Sequence, residues 1–111
     1  MVRRGDIFYA DFDPRRGSEQ GGRRPGLVVS NDRSNRSSSV VNLVPLTHTR
    51  PSRKFPQNVD LPPGVLDDRG GTILCGQIVT FSQQRLLRYY GRLPEYLMAQ
   101  VDEALRIHFD L

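Results

Sequence analysis

The chain reads as one mainly β domain, a small curved antiparallel barrel covered by a single C-terminal helix, and three observations lead there. Five or six short apolar segments follow one another at close spacing with Gly, Pro, Asn and Asp between them, a rhythm that favours a compact barrel over an open layered sheet. A helical period appears only after Pro94. With 111 residues, 37% of them hydrophobic and 25% charged, the sequence has the size and composition of one globular domain over 1–111, without repeats, low-complexity tracts or a dividing linker.

Each element follows from its own residues. Asp6-Ile7-Phe8-Tyr9-Ala10-Asp11-Phe12 alternates well enough for a first strand, and Asp13-Pro14 closes it. A long polar loop comes next, then a second strand expected from about Gly26 to Ser30. Asn31 to Arg36 is built of turn formers and fits one helical turn. Ser39 to Thr47 reads as a third strand, in which Pro45 can donate no ladder hydrogen bond and so predicts an edge or a bulge. His48 to Gln57 is a polar, basic loop with prolines at 51 and 56. Asn58-Val59-Asp60-Leu61 is a short strand ended by Pro62-Pro63-Gly64. Beyond the turn Asp67-Asp68-Arg69-Gly70-Gly71, the residues Thr72 to Phe81 are expected to form one further strand. Ser82 to Leu87 fits a helical turn and Tyr89 to Arg92 a last strand. From Pro94 onward Leu97, Val101, Leu105 and His108 recur about every fourth residue, and a proline followed by Glu95 suits a helix start.

The net charge of +4 is unevenly spread. Residues 1–56 hold eleven basic and five acidic side chains, leaving +6, whereas residues 57–111 hold five and seven, leaving −2. This asymmetry points to a polyanion or an acidic protein segment as partner. Fifteen of the sixteen basic residues are arginine, the exception being Lys54; arginine suits bidentate phosphate binding, and a general arginine bias gives the same count. The single cysteine, Cys75, cannot staple the chain to itself, no apolar run is long enough to cross a bilayer, and Met1-Val2-Arg3-Arg4-Gly5-Asp6 has no apolar signal core. A cytoplasmic location is the expectation.

The stretch with most chemical content is Gly17-Ser18-Glu19-Gln20-Gly21-Gly22-Arg23-Arg24-Pro25, which runs directly into Leu27-Val28-Val29. Gly21 and Gly22 allow backbone angles that other residues resist and permit close approach of a ligand. Pro25 fixes its own φ and drives Arg24 into an extended conformation, so its guanidinium leaves the loop in a defined direction. This is a suitable clamp for a phosphodiester; the same residues also make a solvated hairpin loop.

These landmarks, taken together, place the chain beside a known family. Arg4-Gly5-Asp6-Ile7, Asp13-Pro14, Gly17-Ser18-Glu19-Gln20-Gly21-Gly22, Arg24-Pro25, Leu27-Val28-Val29, Asn31-Asp32, Leu46-Thr47, Gln77-Ile78, Thr80, Arg85-Leu86 and Val101-Asp102-Glu103-Ala104-Leu105 resemble, in order and spacing, the MazF/PemK toxins of bacterial toxin–antitoxin pairs. The resemblance spans nearly the whole sequence. It implies an SH3-like barrel of the MazF/CcdB/Kid type that forms a homodimer, cleaves single-stranded RNA at short sequences without a metal or other cofactor, and is inhibited by a cognate antitoxin. By position it implies a catalytic arginine at Arg24 and a catalytic threonine at Thr47. Substrate contacts are implied at Ser18, Glu19, Gln20 and Gly21, and also at Asn31, Gln77 and Thr80.

RNA carries its own nucleophile, the ribose 2′-hydroxyl, so a protein need only hold it in line with phosphorus and stabilise the developing charge. A guanidinium can donate two parallel hydrogen bonds to phosphate oxygens and a threonine hydroxyl a third. The expected products are a 2′,3′-cyclic phosphate and a 5′-hydroxyl. Arginine is a poor general base, since it stays protonated. His48 and His108 are the residues whose ordinary titration lies near neutrality. In a regular strand His48 would face away from Thr47, and His108 sits on the apolar helix stripe, where a core or interface role is expected.

Other side chains carry less. Cys75 has no histidine beside it in sequence and reads as a small buried hydrophobe. Asp67 and Asp68 fit a Gly-rich turn, and no His/Cys/Asp spacing resembles a metal site. Of Tyr89 and Tyr90, adjacent on a strand, one at most can line a given cleft. In the loop after Thr47, Arg50, Arg53 and Lys54 suit RNA backbone contacts or simply a solvated surface. Where many members of the family carry an acidic residue before Gln77 and a basic one after Ile78, this chain has Gly76 and Val79, so the recognition sequence does not transfer. The alternative from another class is a non-catalytic poison on the same barrel, like the CcdB toxins that bind DNA gyrase.

Overall fold

The computed structural model describes residues 1–111. It contains seven strands and two α-helices: β1 (Asp6–Asp11), β2 (Arg23–Val28), α1 (Asp32–Ser37), β3 (Val40–Thr47), β4 (Asn58–Leu61), β5 (Gly71–Leu74), β6 (Val79–Ser82), β7 (Tyr89–Arg92) and α2 (Glu95–Phe109), with a 3₁₀ turn at Gln83–Arg85. The strands form a curved, half-barrel sheet in the order β4-β5-β3-β2-β1-β7, and β6 pairs separately with β3. Every pairing is antiparallel. The mainly β reading with one long C-terminal helix is therefore correct.

The central strand explains the architecture. One edge of β3 pairs with β2; the other pairs with β6 through Val40–Leu43 and with β5 through Leu46 and Thr47. Pro45 lies in the interval between those two partners and belongs to neither second ladder. The expected edge or bulge is thus replaced by a changeover point, where the missing N–H is not needed, in a strand that is otherwise central.

In the middle of the sheet both faces are covered, which is why β5 and the inner part of β3 hardly alternate. Ile7, Leu27, Val44, Leu46, Ile73 and Cys75 join Leu97, Val101 and Ala104 of α2 in one core. Their strand neighbours Ala10, Val28, Leu43 and Val41 face the other way and pack with Phe12 and Phe81. The two phenylalanine rings meet edge to face at 5.1 Å. A strand with two buried faces has no need of a polar alternate position.

Local boundaries differ from expectation in three places. Strand β2 begins at Arg23, not Gly26, because Asp11 and Ala10 of β1 supply partners for Arg23 and Arg24. The segment expected as one strand from Thr72 to Phe81 is two, broken at Cys75–Ile78 by a turn in which the Gln77 N–H donates to the Leu74 carbonyl at 3.1 Å. Pro94 is the residue before the first turn of α2 and not its first helical residue. The N-terminal segment is held down by Arg4, whose N–H donates to Asp32, whose Nε donates to the Val29 carbonyl at 3.0 Å, and whose guanidinium pairs with Asp102 of α2 at 2.6 Å. One arginine thereby joins β2, α1 and α2.

Candidate active site

The loop between β1 and β2 is organised by short-range polar contacts. The Phe12 N–H donates to the Gly22 carbonyl at 3.0 Å, and the Gly22 N–H returns a bond to the Asp13 carboxylate at 2.9 Å. Gly22 has φ +78°, a left-handed conformation that a side chain resists. Gly21 is buried, and its neighbour Gln20 is tied across the molecule: the Gln20 N–H donates to Gln77 Oε1 at 2.8 Å. Glu19 closes the tip, its carboxylate accepting from the Arg16 N–H at 2.9 Å.

Arg24 leaves this loop half-buried in β2. Its Nε donates to the Gly21 carbonyl at 2.8 Å, so the side chain is oriented from within. The terminal nitrogens have neither a protein acceptor nor an acidic partner, which leaves the forked end of the guanidinium open for a ligand anion. The β2–β3 ladder ends at Gly26 and Pro45, with Arg24 two residues before it on one strand and Thr47 two residues beyond it on the other. Thr47, the last residue of β3, uses its Oγ to accept from the Thr49 N–H at 3.2 Å and keeps its hydroxyl hydrogen free to donate. Arg24 and Thr47 line the same cavity, of about 360 Å³.

Thr47 also borders a second cavity of about 350 Å³ with Gln20, Gln77 and His108. Gln20 and Gln77 continue into a third, whose lining adds Glu19 and Thr80. The two carrying Thr47 and the one carrying Thr80 thus adjoin through shared residues. Seven of the nine expected site residues fall along this run or support it: Arg24, Thr47, Gln20, Gln77, Glu19 and Thr80 as lining, and Gly21 through the carbonyl that positions Arg24. Ser18 lies exposed on the loop outside these cavities. Asn31 lies apart as well, capping α1 through its side-chain oxygen, which accepts from the Ser34 N–H at 2.8 Å. Thr80 accepts from Asn42 at 3.0 Å, which fixes its hydroxyl at the edge of the run.

Both histidines lie nearer the site than the sequence reading put them, and of the core or interface role expected for His108 the core is excluded. The alternation that would carry His48 away from Thr47 ends with β3 itself, and the two residues border one cavity. His48 Nδ1 lies 2.9 Å from the Gly70 carbonyl and Nε2 lies 3.5 Å from Asp67. His108 is exposed, not part of the core, and sits over Gly76, where a side chain would meet its ring at about 3.4 Å.

Cys75 and the two tyrosines lie as the sequence reading has them. Cys75 is fully buried, and burial pushes its thiol up to about 12, so it stays protonated and inert. Tyr90 lines the Arg24 cavity, packed against Tyr9 with ring centroids 4.9 Å apart, while Tyr89 turns to Phe8. In the loop after β3, Arg50 bonds the Leu61 carbonyl and pairs with Asp60, and Arg53 lies 5.3 Å over the Phe55 ring. No three His, Cys, Asp or Glu side chains gather as a metal site.

Asp67 holds the turn before β5 by accepting from the Arg69 N–H at 2.9 Å and the Gly70 N–H at 3.1 Å. Burial works against its charge, but those two donors, with His48 and the Tyr90 hydroxyl, outweigh it and hold its carboxyl below the usual range. The Arg4 N–H does the same for Asp32, against a smaller effect of burial. A folded-state value below the unfolded one gives stability that is complete above the unfolded carboxylate range, near pH 4, and is lost as pH falls through the folded value. Thermal unfolding followed from pH 6 to pH 2 should show Tm falling below about pH 4, and Asp67→Asn should flatten that fall.

Comparison with known proteins gives one consistent result. Residues 3–109 match the family described as PemK-like, MazF-like toxin of type II toxin-antitoxin system. The chain is 39% identical over 120 residues to Endoribonuclease MazF9 of Mycobacterium tuberculosis, an alignment covering 100% of this chain and 98% of that protein. It is 39% identical over 112 residues to Endoribonuclease EndoA of Bacillus subtilis, covering 100% and 97%. A solved endoribonuclease in complex with its cognate antitoxin, from a mycobacterial species, superposes with a TM-score of 0.85 at 28% identity, covering 100% of this chain and 97% of that one.

Proposed function

The chain belongs to the PemK-like, MazF-like toxins of type II toxin-antitoxin systems, and on that footing we propose that this endoribonuclease cuts single-stranded RNA at short sequences by transesterification, without a metal ion. The observation that carries the chemistry is the open fork of Arg24 in one cavity with the free hydroxyl of Thr47. Both are donors, and donors aimed at a phosphate stabilise the charge that grows on its non-bridging oxygens as the 2′-oxygen attacks. Arg24 supplies two parallel bonds and Thr47 one. Positioning the 2′-oxygen in line with phosphorus provides the rest of the acceleration, because it removes the entropy of bringing the atoms together. The 5′-oxygen leaves, giving a 2′,3′-cyclic phosphate and a 5′-hydroxyl.

The adjoining cavities along Gln20, Gln77, Glu19 and Thr80 suit the nucleotides that flank the scissile bond. Glutamine amides offer both donors and acceptors to base edges, which is what reading a short single-stranded sequence requires. The active species is a homodimer in the cytoplasm, silenced when an acidic segment of its antitoxin occupies the basic site. The endoribonuclease names of both relatives weigh against the gyrase-binding alternative.

Incubating the purified chain with a long RNA in excess chelator tests this directly. Cuts confined to short recurring sequences, with cyclic phosphate at the 3′ ends and hydroxyl at the 5′ ends, are expected. Intact RNA, or cleavage only after a divalent ion is restored, would refute the reading.

A further inference from the structure

Arg24 and Thr47 donate to phosphate but leave the departing 5′-oxygen without a proton, and the same cavity contains a group suited to provide one. Its lining includes Tyr9, Arg23, Arg24, Thr47, His48, Asp67 and Tyr90. Nδ1 of His48 is 2.9 Å from the Gly70 carbonyl. A carbonyl only accepts, so Nδ1 carries a hydrogen and Nε2 is the ring nitrogen left for exchange. Nε2 lies 3.5 Å from Asp67 Oδ2, too far for a strong hydrogen bond and near enough to pair with the carboxylate when the ring carries its second proton. The imidazole is thus oriented on one side, charge-matched on the other, and 41% exposed at its side chain, so a substrate oxygen can reach it.

We propose that His48 is the general acid of RNA cleavage and that Asp67 is its positioning residue. The proposal rests on the ribonuclease reading above. As the O2′–P bond forms and the P–O5′ bond breaks, the electron pair of the latter goes to O5′, which takes the proton from His48 Nε2. The 2′-hydroxyl proton passes to solvent, solvent reprotonates the imidazole, and the proton count closes. The charged and titratable groups that share the cavity with the ring are Asp67 from the segment before β5, which is the one within 4 Å of it, Tyr90 from β7, Tyr9 from β1, and Arg23 and Arg24 from β2.

The experiment uses the full chain and a short RNA bearing the mapped cut site, made in two forms. One has the natural 5′-oxygen at the scissile bond, the other a 5′-sulfur, which leaves as a thiolate and needs no proton. His48→Gln should slow the oxygen substrate by about 10²-fold or more and cut the sulfur substrate at close to the wild-type rate. It should also lose the fall of kcat/KM with rising pH that the wild type shows. An equal loss on both substrates, or no loss on the oxygen one, overturns the assignment. If His48→Gln does not fold, Asp67→Asn serves instead: it should slow the oxygen substrate and leave the sulfur one close to the wild-type rate, and an equal effect on both, or none on the oxygen substrate, overturns the proposal. A wild-type chain that leaves both RNAs intact refutes the ribonuclease reading itself, a result distinct from any of these.

Discussion

Arg24→Ala removes RNA cleavage while the protein stays folded. The expected loss is at least 10²–10³-fold, roughly the worth of one donor aimed at a developing oxyanion, and larger because the forked group supplies two. Stability changes little, since the side chain is half-buried and gives up one hydrogen bond to the Gly21 carbonyl, worth about 0.5–1.5 kcal/mol. Arg24→Lys should recover only part of the rate, because an ammonium is a point charge that cannot span two oxygens. Cleavage of a defined RNA, with far-UV circular dichroism and thermal unfolding of the same samples, decides the matter. An Arg24→Ala protein that cuts at the wild-type rate would remove Arg24 from the chemistry.

Gly71→Ala combines loss of stability with loss of activity, through geometry alone. Gly71 opens β5 with φ +153°, and a Cβ there would press into the Thr47 carbonyl and lie 2.9 Å from the His48 Cα. Both obstacles are backbone, which cannot swing aside as a side chain does. Relief requires moving the end of β3 away from β5, disturbing the Thr47–Thr72 and Leu46–Ile73 pairs. The cost is on the order of 1–3 kcal/mol, lowering Tm by roughly 4–8 °C per kcal/mol in a domain of this size. A displacement of about 1 Å at Thr47 is enough to reduce cleavage about 10²-fold. Gly64→Ala is the control: its φ of +90° brings a backbone penalty, yet nothing lies within 4 Å of the new methyl, so activity per folded molecule is retained.

The sequence showed the elements better than their partners. Strand β1, the turn of α1 and the long helix followed from period and turn chemistry, which act over a few residues. What escaped depended on distant neighbours. Nothing near Pro45 says that its strand changes partners there, because both β5 (Gly71–Leu74) and β6 (Val79–Ser82) lie far along the chain. The break between β5 and β6 was hidden by an apolar run in which Gly76 was the one hint.

Within the candidate site, the Arg24 loop was legible from Gly and Pro. The bond from Gln20 to Gln77 spans 57 residues and was not. His48 was discounted by strand alternation, a rule that stops where the strand does. Asp67 was correctly read as a turn former, but its second oxygen turns toward His48, and only the fold could bring them together.

The double allegiance of β3 has a consequence for how such a molecule can diversify. Bonded to β2 on one flank and to β6 and then β5 on the other, it makes a stiff anvil that ends at Thr47, while the β1–β2 loop and the segment after Thr47 lie outside the ladders on either side. On the proposed ribonuclease reading, substitutions in those two segments can alter which RNA sequence is preferred while the anvil stays as it is.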